Sequence, residues 1–116
     1  MFELSSGRRY FLYRSWCDMR KSFDGLSGLV RNGLGLDPAS GDVYVFINRR
    51  RDRLKLLVWQ GDGYALYYKR LEIGTFEYPR QCGGGDIHVL NWTELVLIMQ
   101  GIALESVRHR KRYSQK

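Results

Sequence analysis

The chain predicts an α+β domain: an antiparallel β-meander of four to five strands packed with two helices. Three observations carry that prediction. Apolar runs broken by turn residues recur between residues 41 and 71. Two other stretches, beginning near Met19 and Trp92, place their apolar residues at helical spacing instead. The 116 residues, 44% of them hydrophobic, suffice for one domain with a real core.

The elements follow in order. Tyr10-Phe11-Leu12-Tyr13 reads as a first strand. Asp18 offers an N-cap for a helix that lines up Met19, Phe23, Leu26 and Val30, with Leu29 beside them. Gly25 and Gly28 lie inside that helix, where each costs about 1 kcal/mol against alanine, and close packing on a sheet is the expected return. Gly33 and Gly35 end it. Asp37-Pro38-Ala39-Ser40-Gly41 is a turn. The meander then runs through Gly41 to Asn48, Leu54 to Trp59 and Tyr64 to Leu71. Residues 72–79 turn and extend it, and Ile87 to Leu90 supplies a further short strand after the glycine-rich Cys82 to Asp86. Asn91-Trp92-Thr93-Glu94 caps a second helix with Trp92, Leu95, Val96, Met99 and Ile102 on one stripe, interrupted by Gly101. The expected division is one α+β domain over 1–107 and a basic tail over 108–116.

Charge points outward. Lys and Arg number 19 against 12 Asp and Glu, a net +7. Such a balance favours nucleic acid, an anionic membrane or an acidic protein as partner, and also serves solubility. The start of the chain has no apolar signal-peptide core, and the longest apolar run, Leu95 to Leu104, is too short to span a bilayer. Cys17 and Cys82 share no metal-ligand spacing and suit a reducing compartment, so a cytoplasmic protein is expected, with no membrane role.

The densest charge lies between the first two strands of the meander: Arg49, Arg50, Arg51 and Arg53, with Asp52 among them. Guanidinium forks match phosphate oxygens, so the loop suits a phosphate grip; a hairpin tip is also simply a place where any charge is solvated. A four-residue connection, Gln60 to Gly63, would set Trp59 opposite Tyr64 and Lys55 opposite Tyr68. One sheet face would then mix Arg53, Lys55, Trp59, Tyr68 and Arg70, with Lys69 on the other face. Interleaved aromatics and cations suit stacked, exposed bases. The pattern equally fits a face half covered by a helix with its long cations reaching to water, and no RNP-type signature favours the first. Arg108, Arg110, Lys111 and Arg112 form a terminal arm that would add non-specific DNA affinity or merely solubilise the end.

Catalytic patterns are missing from the sequence. His88 and His109 stand apart, the serines form no GxSxG elbow, and neither Gly61-Asp62-Gly63 nor Gly83-Gly84-Gly85 continues into a P-loop. Asp18, Asp24, Asp42 and Asp62 each have a cap or turn to explain them, which argues against a magnesium site. No enzyme activity, metal, cofactor or small-molecule substrate is expected.

Several segments together resemble a known family. They are Asp18-Met19-Arg20-Lys21-Ser22-Phe23-Asp24-Gly25-Leu26, Val45-Phe46, the basic hairpin from Arg49 to Lys55, Tyr67-Tyr68-Lys69-Arg70-Leu71-Glu72 and Gly74-Thr75-Phe76. In order and spacing they are similar to the TnpB-type accessory proteins encoded by the second open reading frame of the insertion-sequence-sixty-six family. The likeness runs from about Tyr10 to Tyr113. It implies a non-catalytic accessory factor of DNA transposition, acting beside a separate DDE-type transposase, and it supplies no active site. Asp18, Arg20, Lys21, Asp24 and Gly25 match the family pattern without an implied role, and Gln60 stands where an acidic residue is expected. The expected partners are DNA, reached through the hairpin and tail, and the transposase; the alternative is a module that docks on the transposase without touching DNA.

Overall fold

The computed structural model describes residues 5, 7–79 and 85–101. Strands β1 (Tyr10–Tyr13), β2 (Val43–Ile47), β3 (Arg53–Trp59), β4 (Tyr64–Arg70) and β5 (Ile87–Leu90) form a five-stranded sheet in the order β4-β3-β2-β1-β5. The α+β class and the short strand at Ile87 stand as expected. β2, β3 and β4 make the meander, and the register across β3 and β4 pairs Trp59 with Tyr64, Lys55 with Tyr68 and Arg53 with Arg70. Gln60 to Gly63 closes that hairpin, with the Gln60 amide donating to the Gly63 carbonyl at 2.8 Å.

The sheet departs from a pure meander at one edge. β1 runs parallel to β2, pairing Tyr10 with Val43 and Leu12 with Val45. A helical crossover separates them, and a crossover returns the chain to the end of the sheet where it began, so the next strand runs the same way. β5 then pairs antiparallel with β1.

That crossover starts later than the sequence suggests. Helix α1 spans Phe23–Gly28, capped by Ser22 with no side-chain bond. Asp18 is not the cap: its carboxylate accepts from the Arg20 amide at 2.9 Å, and the Lys21 amide donates to the Asp18 carbonyl at 3.1 Å. The aspartate closes a local turn instead, the usual competitor of a helix start. A π-helical turn, Leu29–Gly33, continues α1, and Gly35 leaves it at φ +68°. The interior glycines do not approach the sheet. A Cβ on Gly28 would meet nothing within 4 Å, and one on Gly25 would meet only the Lys21 side chain.

Helix α2 (Trp92–Met99) has the expected capping box: Asn91 accepts from the Glu94 amide while Glu94 accepts from the Asn91 amide. Gly101, at φ +74°, terminates this helix rather than interrupting it. Ile102, Cys82, His109 and the 107/108 boundary lie outside the described residues.

The two helices cover opposite faces of the sheet. On the α2 side, Tyr10, Leu12, Val43, Val45, Ile47, Leu54, Leu56 and Val58 pack with Phe76, Leu90, Leu95 and Ile98. On the α1 side, Tyr44, Phe46 and Leu57 pack with Cys17, Leu26 and Val30. The pleat of β3 serves both cores, sending Leu54, Leu56 and Val58 one way and Leu57 the other.

Candidate nucleic-acid interface

The arginine loop is built on asparagine. Asn48 Oδ1 accepts from the amides of Asp52 and Arg53, each at 3.0 Å, while its Nδ2 donates to Asp52 Oδ1 at 2.8 Å. The Arg51 amide closes the turn onto the Asn48 carbonyl at 3.0 Å. The loop is then tied to the segment after β4: the Leu71 amide donates to the Asp52 carbonyl at 2.8 Å, and the Phe76 amide to the Arg51 carbonyl at 2.6 Å. The result is a fixed tip.

Its arginines have different fates. Arg51 takes φ +63°, a left-handed conformation unusual for a side chain of its size, and pairs with Glu77 at 3.2 Å. It belongs to the frame of the loop. Arg49 and Arg50 are exposed and carry no ion pair among the described residues. The Arg49 guanidinium instead lies over the ring of Trp16, 5.8 Å from its centroid. A shallow cavity of about 220 Å³ opens between them, lined also by Asp18, Met19, Asn48 and Arg50.

Arg53 and Arg70 lie directly opposite each other across β3 and β4. Like charges in that position repel. Arg70 is answered by Glu72 at 2.8 Å, and Arg53 donates to the Tyr68 hydroxyl at 3.1 Å. Arg53, Tyr68 and Arg70 line a second small hollow of about 160 Å³.

Two of the expected contact residues are committed elsewhere. Lys55 is only 5% exposed, and its ammonium donates to the carbonyls of Met19 at 2.7 Å and Lys21 at 2.8 Å. It fastens the segment before α1 to the sheet. Lys69 donates to the Met99 carbonyl at 2.7 Å, at the C-terminal end of α2, where the helix dipole favours a cation. Both ammonium groups are engaged by backbone carbonyls. Arg108, Arg110, Lys111 and Arg112 lie outside the described residues.

The other singled-out positions fall nearby. Asp18 holds Arg20 through three contacts of its carboxylate with the guanidinium, the shortest 2.7 Å, and these hydrogen bonds keep its carboxyl down at about 2. Lys21, Asp24 and Gly25 are exposed around the start of α1. Asp42 is bidentate to Arg9 at 2.8 and 2.9 Å. Among the described residues, no three of His, Cys, Asp and Glu converge as a metal site would need.

The expected mixed face therefore divides. Trp59 sits at the other end of β3, edge-on to Tyr64. That end bounds a larger polar hollow of about 540 Å³ with Arg8, Gln60 and Asp62. Sequence reasoning missed Trp16. The signal was present: a tryptophan between a strand and a helix that fits the apolar pattern of neither.

The family profile described as "IS66 Orf2 like protein" matches residues 8–109. The chain belongs to the IS66 Orf2-like family. It is 34% identical over 106 residues to y4jC of Sinorhizobium fredii, covering 91% of this chain and 89% of that one. It is 36% identical over 83 residues to y4hO of the same organism, covering 70% and 72%. Both relatives are described as uncharacterized proteins. No solved structure matches. Membership in the IS66 Orf2-like family makes this a transposition accessory protein, and among the described residues no helix is long and apolar enough to cross a membrane.

Proposed function

We propose that this IS66 Orf2-like protein is a non-catalytic accessory factor that contacts DNA at the arginine-rich end of its sheet. One observation carries the reading: Arg49 and Arg50 stand exposed, with no ion pair among the described residues, on a tip whose backbone is fixed by Asn48 and Phe76. Fixing the tip beforehand lowers the ordering cost of gripping phosphates. Arg53 and Arg70 extend the same charged end, and an anion between them would relieve their mutual repulsion. The terminal Arg108, Arg110, Lys111 and Arg112 would add sequence-independent affinity. Lys55 and Lys69 are left out of the contact set because their ammonium groups are occupied.

The test is DNA binding by fluorescence anisotropy across a salt series. Affinity should fall steeply with salt, and the Arg49→Glu/Arg50→Glu double variant should lose most of it while its circular dichroism is unchanged. Unchanged affinity in that variant overturns the assignment. If DNA is never bound, yet the DDE-type transposase is retained after nuclease treatment, the surface belongs to an acidic patch on that protein instead.

A further inference from the structure

The charged end carries two aromatic rings that a phosphate grip does not require. Trp16 is 56% exposed and Tyr68 48% exposed, and neither belongs to the two cores. Each ring has a cation against it. The Arg49 guanidinium lies over Trp16, and the Lys55 ammonium lies 4.7 Å from the Tyr68 centroid. Lys55 is itself buried, so it occupies the inner face of Tyr68 and leaves the outer face to solvent. The hydroxyl of Tyr68 is held by Arg53, which fixes the ring further.

The two rings are linked through Lys55. The segment that starts at Trp16 runs through Met19 and Lys21, whose carbonyls grip Lys55, and Lys55 supports Tyr68. Arg49 and Arg50 flank the first ring; Arg53 and Arg70 flank the second. Duplex DNA keeps its bases stacked on each other and offers such rings nothing. Unpaired bases offer their faces, and stacking each one on an aromatic side chain typically changes affinity by about tenfold.

We infer that this end of the sheet is a stacking platform for single-stranded DNA, with Trp16 and Tyr68 receiving unpaired bases and Arg49, Arg50, Arg53 and Arg70 holding the phosphates between them. The inference rests on the DNA-contact reading above and names the form of DNA bound.

The experiment titrates the full chain into a labelled oligothymidylate, an abasic oligonucleotide of equal length, and a duplex of equal length. Oligothymidylate should bind about tenfold tighter than either of the others. Trp16→Ala and Tyr68→Ala should each weaken it about tenfold and leave duplex binding within about twofold. Trp16→Phe and Tyr68→Phe, which keep a ring, should retain most of the affinity. Indole emission should be quenched by oligothymidylate, and Trp16→Phe should remove most of that quench while binding persists. Equal affinity for oligothymidylate and abasic strand, or alanine variants that weaken single strand and duplex alike, overturns the stacking platform and leaves DNA contact intact. Binding to none of the three overturns both readings.

Discussion

The two sides of β3 obey one pleat and end differently. Toward α2, Leu54, Leu56 and Val58 are sealed along the whole strand. Toward α1, only Leu57 is sealed in the same sense; Lys55 is buried as a clamp, and Arg53 lies at the charged end. Length explains the difference. A seven-residue strand runs about 23 Å, whereas the six residues of α1 run about 9 Å. Even with its π-helical turn, α1 leaves the Arg53 end only partly covered. The α2 side is sealed further by chain that is not helical, above all Phe76 and Leu71 after β4. One side of the sheet is thus sealed along the whole strand, and the other keeps charged side chains at its Arg53 end.

Four variants and one titration probe that contrast. The largest effect is expected on the sealed side: Leu56→Ala should cost about 2–5 kcal/mol in denaturant unfolding, because a fully buried side chain leaves a cavity. A loss below about 1 kcal/mol would mean the α2 side is looser than its burial implies. Next is the clamp. Lys55→Met keeps the length of the side chain but strands the Met19 and Lys21 carbonyls, and should cost about 2 kcal/mol with faster amide exchange around residues 19–23. If stability holds, the lysine is a surface cation after all.

Gly28→Ala should move stability the other way, by about 0.5–1 kcal/mol, because the position is helical and a methyl group there meets open space. A loss would show that the backbone approaches something at that point. The Arg49→Glu/Arg50→Glu variant should shift stability by less than about 0.5 kcal/mol, since neither residue holds the fold, and a larger drop would move both into the frame of the loop. The smallest expected effect is electrostatic. Asp18 should titrate at about 2 by NMR and return toward the ordinary carboxylate range in Arg20→Ala. Its depressed value means that its contribution is present above about pH 4 and fades as pH falls toward 2.

Much of this architecture was legible in the residues. The alternation in Leu54 to Trp59 determined both faces of β3, and the four-residue connection placed Lys55 against Tyr68. The Asn91–Glu94 capping box announced α2. The parallel β1–β2 pair was harder to read, because strand direction depends on where the crossover leaves the chain and not on the strand's own composition. Asp18 misled for a related reason: the same carboxylate can cap a helix or close a turn, and Arg20 tips it toward the turn. Within the interface, the basic residues were visible but their allocation was not. Lysines whose ammonium groups seek carbonyls and arginines left in water look alike until the chain is folded.

The Asn48 turn has one more consequence. Its geometry is written in Asn48, Arg51 and Asp52, while the side chains at 49 and 50 make none of the hydrogen bonds that close it. Those two positions behave as an interchangeable cassette on a permanent mount. Exchanging those two residues would change the charge at the tip with no need to refold the scaffold around them.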